Sequence, residues 1–138
     1  MDWISVRLLI RSPDVVPASI TRQLGVEPTN SHIPNTPVTR KDGSTGAVRA
    51  EGFWSRSILK EEVGDIDVAD AAIQLLKQMP SDPAVWLALP AVPTLIFSLG
   101  MPRSNCGFNI APDLGGFAAD RGIVLGFDIY GESIWAKD

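Results

Sequence analysis

Apolar and polar residues alternate over residues 3–10, with Ile4, Val6, Leu8 and Ile10 on one side and Trp3, Ser5, Arg7 and Leu9 on the other. A period of two predicts a half-buried strand. The same period returns over residues 122–130, where Ile123, Leu125, Phe127 and Ile129 make one face and Val124, Gly126, Asp128 and Tyr130 the other. The first of these faces is expected to be a core wall, and the chain to be arranged around that strand, with its mixed side partly wet. Residues 52–59 resume a strand pattern, Trp54 and Ile58 opposite Phe53 and Leu59, and residues 94–99 predict a further long strand. Residues 106–110 suit a short edge strand.

Helical signals fall between the strands. Pro17 suits a first turn, Ile20 and Leu24 lie one turn apart, and Gly25 stands where a left-handed C-terminal cap belongs. Asp67 is placed to cap a helix running to Met79, whose Val68, Ala72, Leu75, Leu76 and Met79 make an apolar stripe ended by Pro80. Residues 82–89 add a short turn with Trp86 and Leu89 inward. Pro112 and Asp113 open another helix, Leu114, Phe117 and Ala118 face inward, and Gly122 closes it. Trp135 is expected to pack back on the surface.

From Val26 to Glu51 the periodicity disappears among Pro28, Pro34, Pro37, Gly43 and Gly46, which predicts a long loop with a brief strand at Val48. Irregular loops of that length in compact domains are usually functional or mobile, so Thr29, Arg40, Lys41 and Arg49 become candidate binding residues, with Arg40 and Lys41 expected to be exposed. The schemes Pro17 to Val26 and Pro112 to Ile123 echo one another: a Pro start, an apolar helix face, then Gly and a β-branched residue. Together the elements predict one α+β domain over residues 1–138. The expected form is a two-layer sandwich, a mostly antiparallel sheet with helices on one face, built from ferredoxin-like βαβ halves.

Composition narrows the function classes. An apolar fraction of 45% and a charged fraction of 20% suit a soluble globular chain of 138 residues with one core. Net charge is −4 with no run of Lys or Arg, which disfavours nucleic acid and favours a basic protein partner. The most apolar region, residues 85–100, is broken by Pro90 and Pro93 and is too short to cross a membrane. The opening residues lack the basic start of a secretion signal. Cys106 and His32 are the sole residues of their types, so no intrachain disulfide or Cys/His zinc site can form, and a cytoplasmic location is favoured.

With Leu24-Gly25-Val26-Glu27-Pro28-Thr29, then Gly52-Phe53-Trp54, then Gly122-Ile123 leading into Phe127-Asp128-Ile129-Tyr130, the chain resembles a bacterial family of domains of unknown function, DUF4279. The likeness covers most of the chain. Members look like one small α+β domain in which an Ile-Thr helix ends in a Leu-Gly turn followed by Pro-Thr, and Ile20, Thr21, Leu24, Gly25, Pro28 and Thr29 match. The sequence departs from that pattern after Thr29, where Lys or Arg followed by Gly is expected and Arg40-Lys41-Asp42-Gly43 alone could serve. It departs again at Gly115-Gly116, each glycine weakening a helix by roughly 1 kcal/mol. The resemblance implies no reaction and no catalytic residues.

Direct readings of chemistry are equally sparse. Asp42-Gly43-Ser44-Thr45-Gly46 lacks the Gly-Lys-Ser/Thr ending and following helix of a nucleotide loop and reads as a turn. Asp65, Asp67 and Asp70 lack the glycine and glutamate positions of a calcium loop and read as helix-capping acids. Cys106 and His32 do not make a catalytic pair, and no serine sits in an elbow motif. Trp54, Arg56, Asp128 and Tyr130 remain. The bland reading is a cross-strand Arg56–Asp128 pair, worth roughly 0.2–1 kcal/mol. The functional one is a pocket with an aromatic wall, an arginine for an anion and a tyrosine hydroxyl, lidded by the loop.

The preferred expectation is therefore a non-enzymatic protein-interaction domain, immunity-type or regulatory, with no cofactor and no metal. A small-molecule or catalytic site on the Trp54/Arg56/Tyr130 face is the alternative, and homodimerisation through an edge strand is a third arrangement.

Overall fold

The computed structural model describes residues 3–61, 68–100, 109–110 and 112–130. Along the chain the elements are β1 (Trp3–Ser12), α1 (Pro17–Leu24), β2 (Asn30–His32), β3 (Thr36–Thr39), β4 (Thr45–Arg49), β5 (Gly52–Glu61), α2 (Val68–Leu76), α3 (Pro83–Leu87), β6 (Thr94–Gly100), α4 (Pro112–Arg121) and β7 (Val124–Tyr130). Five strands form one open sheet in the order β2-β5-β1-β6-β7, and β3 and β4 form a separate two-stranded sheet. Every pairing in the large sheet is antiparallel except β6 with β7. The fold is α+β, with a mostly antiparallel sheet.

β1 is the centre of this arrangement. Its Ile4, Val6, Leu8 and Ile10 are fully buried, and their register partners Trp54, Ile58, Leu95, Phe97 and Leu99 extend the same face across β5 and β6. The helices cover that face. Trp54 Nε1 donates to the Thr21 hydroxyl on α1 at 3.2 Å, and Ala72, Leu75 and Leu76 of α2 join Leu114 and Ala118 of α4 in one core cluster. Burying a side chain such as Leu8 contributes about 1.5–3 kcal/mol, so the shared face supplies the main cohesion.

The helix boundaries follow local chemistry. Pro17 occupies the first turn of α1, and Gly25 ends it in the left-handed region at φ 75°, its amide donating to the Thr21 carbonyl. The Asp82 side chain accepts from the Ala84 amide at the start of α3, and the Trp86 indole donates to the Pro80 carbonyl at 2.8 Å. Gly122, at φ 65°, turns the chain from α4 into β7. The Asp67 cap, the Cys106 end of the expected edge strand, and Trp135 lie outside the described residues; Asn109 and Ile110 are not in a strand.

Two expectations are corrected. The 122–130 stretch is a strand whose alternate residues do face the helices, but β7 lies at the sheet's edge. Ile123 is buried, whereas Phe127 is 44% and Ile129 53% exposed, because an edge strand has a neighbour on one side only. β6-α4-β7 is a βαβ unit of adjacent parallel strands, and α1 leads from β1 to β2, which runs parallel to β1 with β5 between them. Finally, the 26–51 segment is not irregular, since it contains β2, β3 and β4, with Val48 inside β4 as expected.

Candidate functional site

The described residues contain no group of three or more His, Cys, Asp or Glu placed to hold a metal, and no helix among them is long and apolar enough to cross a membrane. The β3–β4 hairpin is largely exposed. It arises where Arg40-Lys41-Asp42-Gly43 reverses the chain: the Gly43 amide donates to the Arg40 carbonyl at 2.9 Å and the Arg40 amide to the Ser44 carbonyl at 2.8 Å. Gly43 takes φ 85°, which a side chain would resist. The Asp42 carboxylate accepts from both the Ser44 amide and hydroxyl, and those bonds hold it below its ordinary pKa.

The hairpin's base is fastened to the body. His32 stacks on Phe53 with ring centroids 6.2 Å apart, and its Nε2 lies 3.1 Å from the Thr36 carbonyl oxygen. Asn35, at φ 61°, donates its amide to the Arg49 carbonyl at 2.8 Å. Gly52 then starts β5 in a space with no room for a side chain, since a Cβ there would overlap the Val15 carbonyl oxygen and lie 2.7 Å from Pro34 Cδ.

Charge collects on this arm. Arg40, Lys41 and Arg49 are all exposed, as is Val48. Val38, Arg40, Gly46, Ala47, Val48 and Arg49 line a hollow of about 310 Å³, and Arg11, Arg49, Ala50 and Glu51 line another of about 480 Å³ at the base. Arg11 pairs with Glu51 at 3.4 Å with both side chains wet, a contact worth little in stability. The ionised Asp42 offsets one cation and Arg11 offsets Glu51, so Arg40, Lys41 and Arg49 still leave the arm with a positive surplus on a chain of net charge −4.

The other candidate residues are dispersed. Thr29 extends the pairing along β5, its amide donating to the Ser55 carbonyl and its hydroxyl accepting from the Ser57 amide. Trp54 is fully buried beneath α1. Arg56 sits on the helix face, where Nε donates to Gln78 Oε1 at 2.9 Å and Nη1 to the Glu27 carbonyl at 2.6 Å. Asp128 and Tyr130 lie on the other face of the sheet, with two strands, β1 and β6, between them and β5. The Arg56–Asp128 pair therefore does not form, and Trp54, Arg56 and Tyr130 do not share a pocket. Tyr130 instead meets Trp3 at 5.7 Å between centroids, and Trp3 covers Gly100, where a Cβ would overlap its indole.

Sequence reasoning passed over two features. Asp42-Gly43 between β-branched and Thr-rich stretches is a strong short-range hairpin signal and was the available clue to the arm. Arg121 was invisible as an interior residue, because nothing local distinguishes it from an ordinary cation in the last turn of a helix.

No curated protein and no solved structure matches the chain. A family model does, that of the domain of unknown function DUF4279, over residues 2–132. The motifs around α1, the start of β5 and β7 are thus parts of one family pattern that spans nearly the whole fold, and the chain belongs to the DUF4279 family.

Proposed function

We propose that this domain is a non-enzymatic protein-interaction module of a bacterial cytoplasmic protein, immunity-type or regulatory, whose contact element is the β3–β4 hairpin. The observation that carries the reading is the hairpin's construction: an arm joined to the sheet at His32 and Gly52 and closed by the Asn35–Arg49 bond, which carries Arg40, Lys41, Arg49 and Val48 outward. Cations around an exposed valine suit a contact with an apolar centre and a polar rim. Net charge alone favoured a basic partner, but short-range complementarity is decided at the contact, and there the surplus is positive. The partner surface on this reading presents carboxylates to the hairpin.

The test is affinity capture from the native host with the wild-type chain and with the R40E/K41E/R49E variant, compared quantitatively by mass spectrometry. The reading expects a protein captured by the wild type and lost at least tenfold in the variant, with unchanged circular dichroism. Equal capture by both, or capture of nothing by either, contradicts it.

A further inference from the structure

Arg121 is 5% exposed, at the end of α4, and among the described residues it is the one charged side chain that is buried. Its guanidinium carbon lies 4.5 Å from the Phe117 ring centroid and 5.7 Å from that of Trp86, so two aromatic faces hold the cation. Nη1 donates to the Phe117 carbonyl at 3.1 Å, but Nε is enclosed with no acceptor. Among the described residues no carboxylate lies within ion-pair distance of it, and burial pushes its pKa below the ordinary arginine value while Asp120 opposes this from a distance. An arginine stays charged in such surroundings. A buried cation without a counter-ion is costly, and an enclosed donor with no acceptor adds to that cost.

The same side chain lines a cavity of about 260 Å³ whose other walls are Trp86, Leu87, Leu89, residues 90–93 and Gly122. Leu87 and Val92 are largely exposed at this place, so the cavity opens outward between them. Pro90 and Pro93 restrict the backbone of one wall. At about 30 Å³ for each water of liquid volume, the space equals roughly nine waters, or a ligand of about ten heavy atoms.

The geometry points to a binding site for a small monocarboxylate with a hydrocarbon body: the carboxylate answers the uncompensated Arg121 guanidinium and the body fills the apolar space beside Trp86 and Leu89. A guanidinium pairs with planar carboxylates through its fork of donors, and a mostly apolar pocket with one fixed charge is the usual composition of a small-molecule site. The site is remote from the hairpin in sequence and shares no residue with it, so it stands or fails independently of the proposed partner contact.

Benzoate and its neutral isostere benzamide are the probes. Titration of the full chain, followed by two-dimensional amide and indole NMR, is expected to give saturable benzoate shifts at the Trp86 indole, Leu87 and Gly122. Half-saturation should fall at roughly 1–10 mM, the range open to a ligand of this size. Benzamide should bind at least tenfold more weakly, and Arg121→Lys and Arg121→Gln should each lose benzoate binding at least tenfold. Equal binding of benzoate and benzamide overturns the proposal, as do benzoate shifts spread over the surface without saturation, or binding retained in both variants. If the variants do not fold, the wild-type comparison of benzoate with benzamide decides.

Discussion

Gly52 faces the carbonyl oxygen of Val15 so closely that a Cβ at residue 52 would overlap it. One glycine therefore lets the chain leave the hairpin and enter the strand that carries Trp54. Gly52→Ala must push backbone against backbone, with Pro34 Cδ at 2.7 Å on the other flank. We expect it to destabilise the fold by about 1–3 kcal/mol or more, as overpacking does, and to lower the urea midpoint at unchanged m value. A midpoint equal to wild type would show that the base of the arm is looser than described.

Arg56 ties the strand β5 to two distant segments through Gln78 Oε1 and the Glu27 carbonyl. Arg56→Ala should cost about 1–2 kcal/mol, since bonds from a charged donor contribute more than neutral ones and solvent can replace part of them here. Gln78→Ala should cost less, because it leaves the Glu27 bond intact. Chemical denaturation of the two variants checks the order, and a larger loss for Gln78→Ala would contradict it.

The Asp42 carboxylate is held below its ordinary pKa of 3.8 by the Ser44 hydroxyl first and the Ser44 amide second. A lowered folded pKa means that the ionised form supports the turn above the unfolded value, and that this support is lost as pH falls through the lower folded value. Ser44→Ala should move the Asp42 titration back up toward 3.8. Carbon-13 titration of the side-chain carboxyl reads this directly, and an unmoved midpoint would mean that the hydroxyl is not the cause.

Two-stranded hairpins are marginal on their own, and β3 and β4 pair only with each other. Amide exchange within residues 36–49 should accordingly be faster than at Val6 and Leu8 of the central strand by about two orders of magnitude or more. Protection in the hairpin equal to that of β1 would remove the ground for treating it as a separate arm.

Local chemistry was readable wherever the deciding interaction lies within a few residues. Pro17 and Gly25 bracket α1, Pro112 and Gly122 bracket α4, and the Ile4-Val6-Leu8-Ile10 alternation names the buried face of β1. The alternation of Leu125, Phe127 and Ile129 likewise names the side of β7 that faces the helices. Strand order is different. Nothing in the 122–130 stretch says that it has one neighbour and not two, because that depends on where β6 and β1 pair. The hairpin escaped for another reason: Pro37, Gly46 and the many polar side chains mask the two-residue period, and neither strand needs a core because both are wet. The candidate site divided along the same line. Arg40, Lys41 and Arg49 are neighbours through a local turn and stay together, whereas Trp54, Arg56, Asp128 and Tyr130 required knowledge of faces and order and come apart.

Whether the hairpin is the contact element is read by a photo-crosslinking residue at Val48, exposed on the hairpin, compared in the native host with the same probe at Leu59, which is exposed on the sheet's opposite face from the helices. A discrete protein adduct is expected from residue 48, abolished by charge reversal at Arg40, Lys41 and Arg49, and none of that mass from residue 59. An adduct from residue 59 alone, or one at residue 48 that survives the charge reversal, would contradict that role.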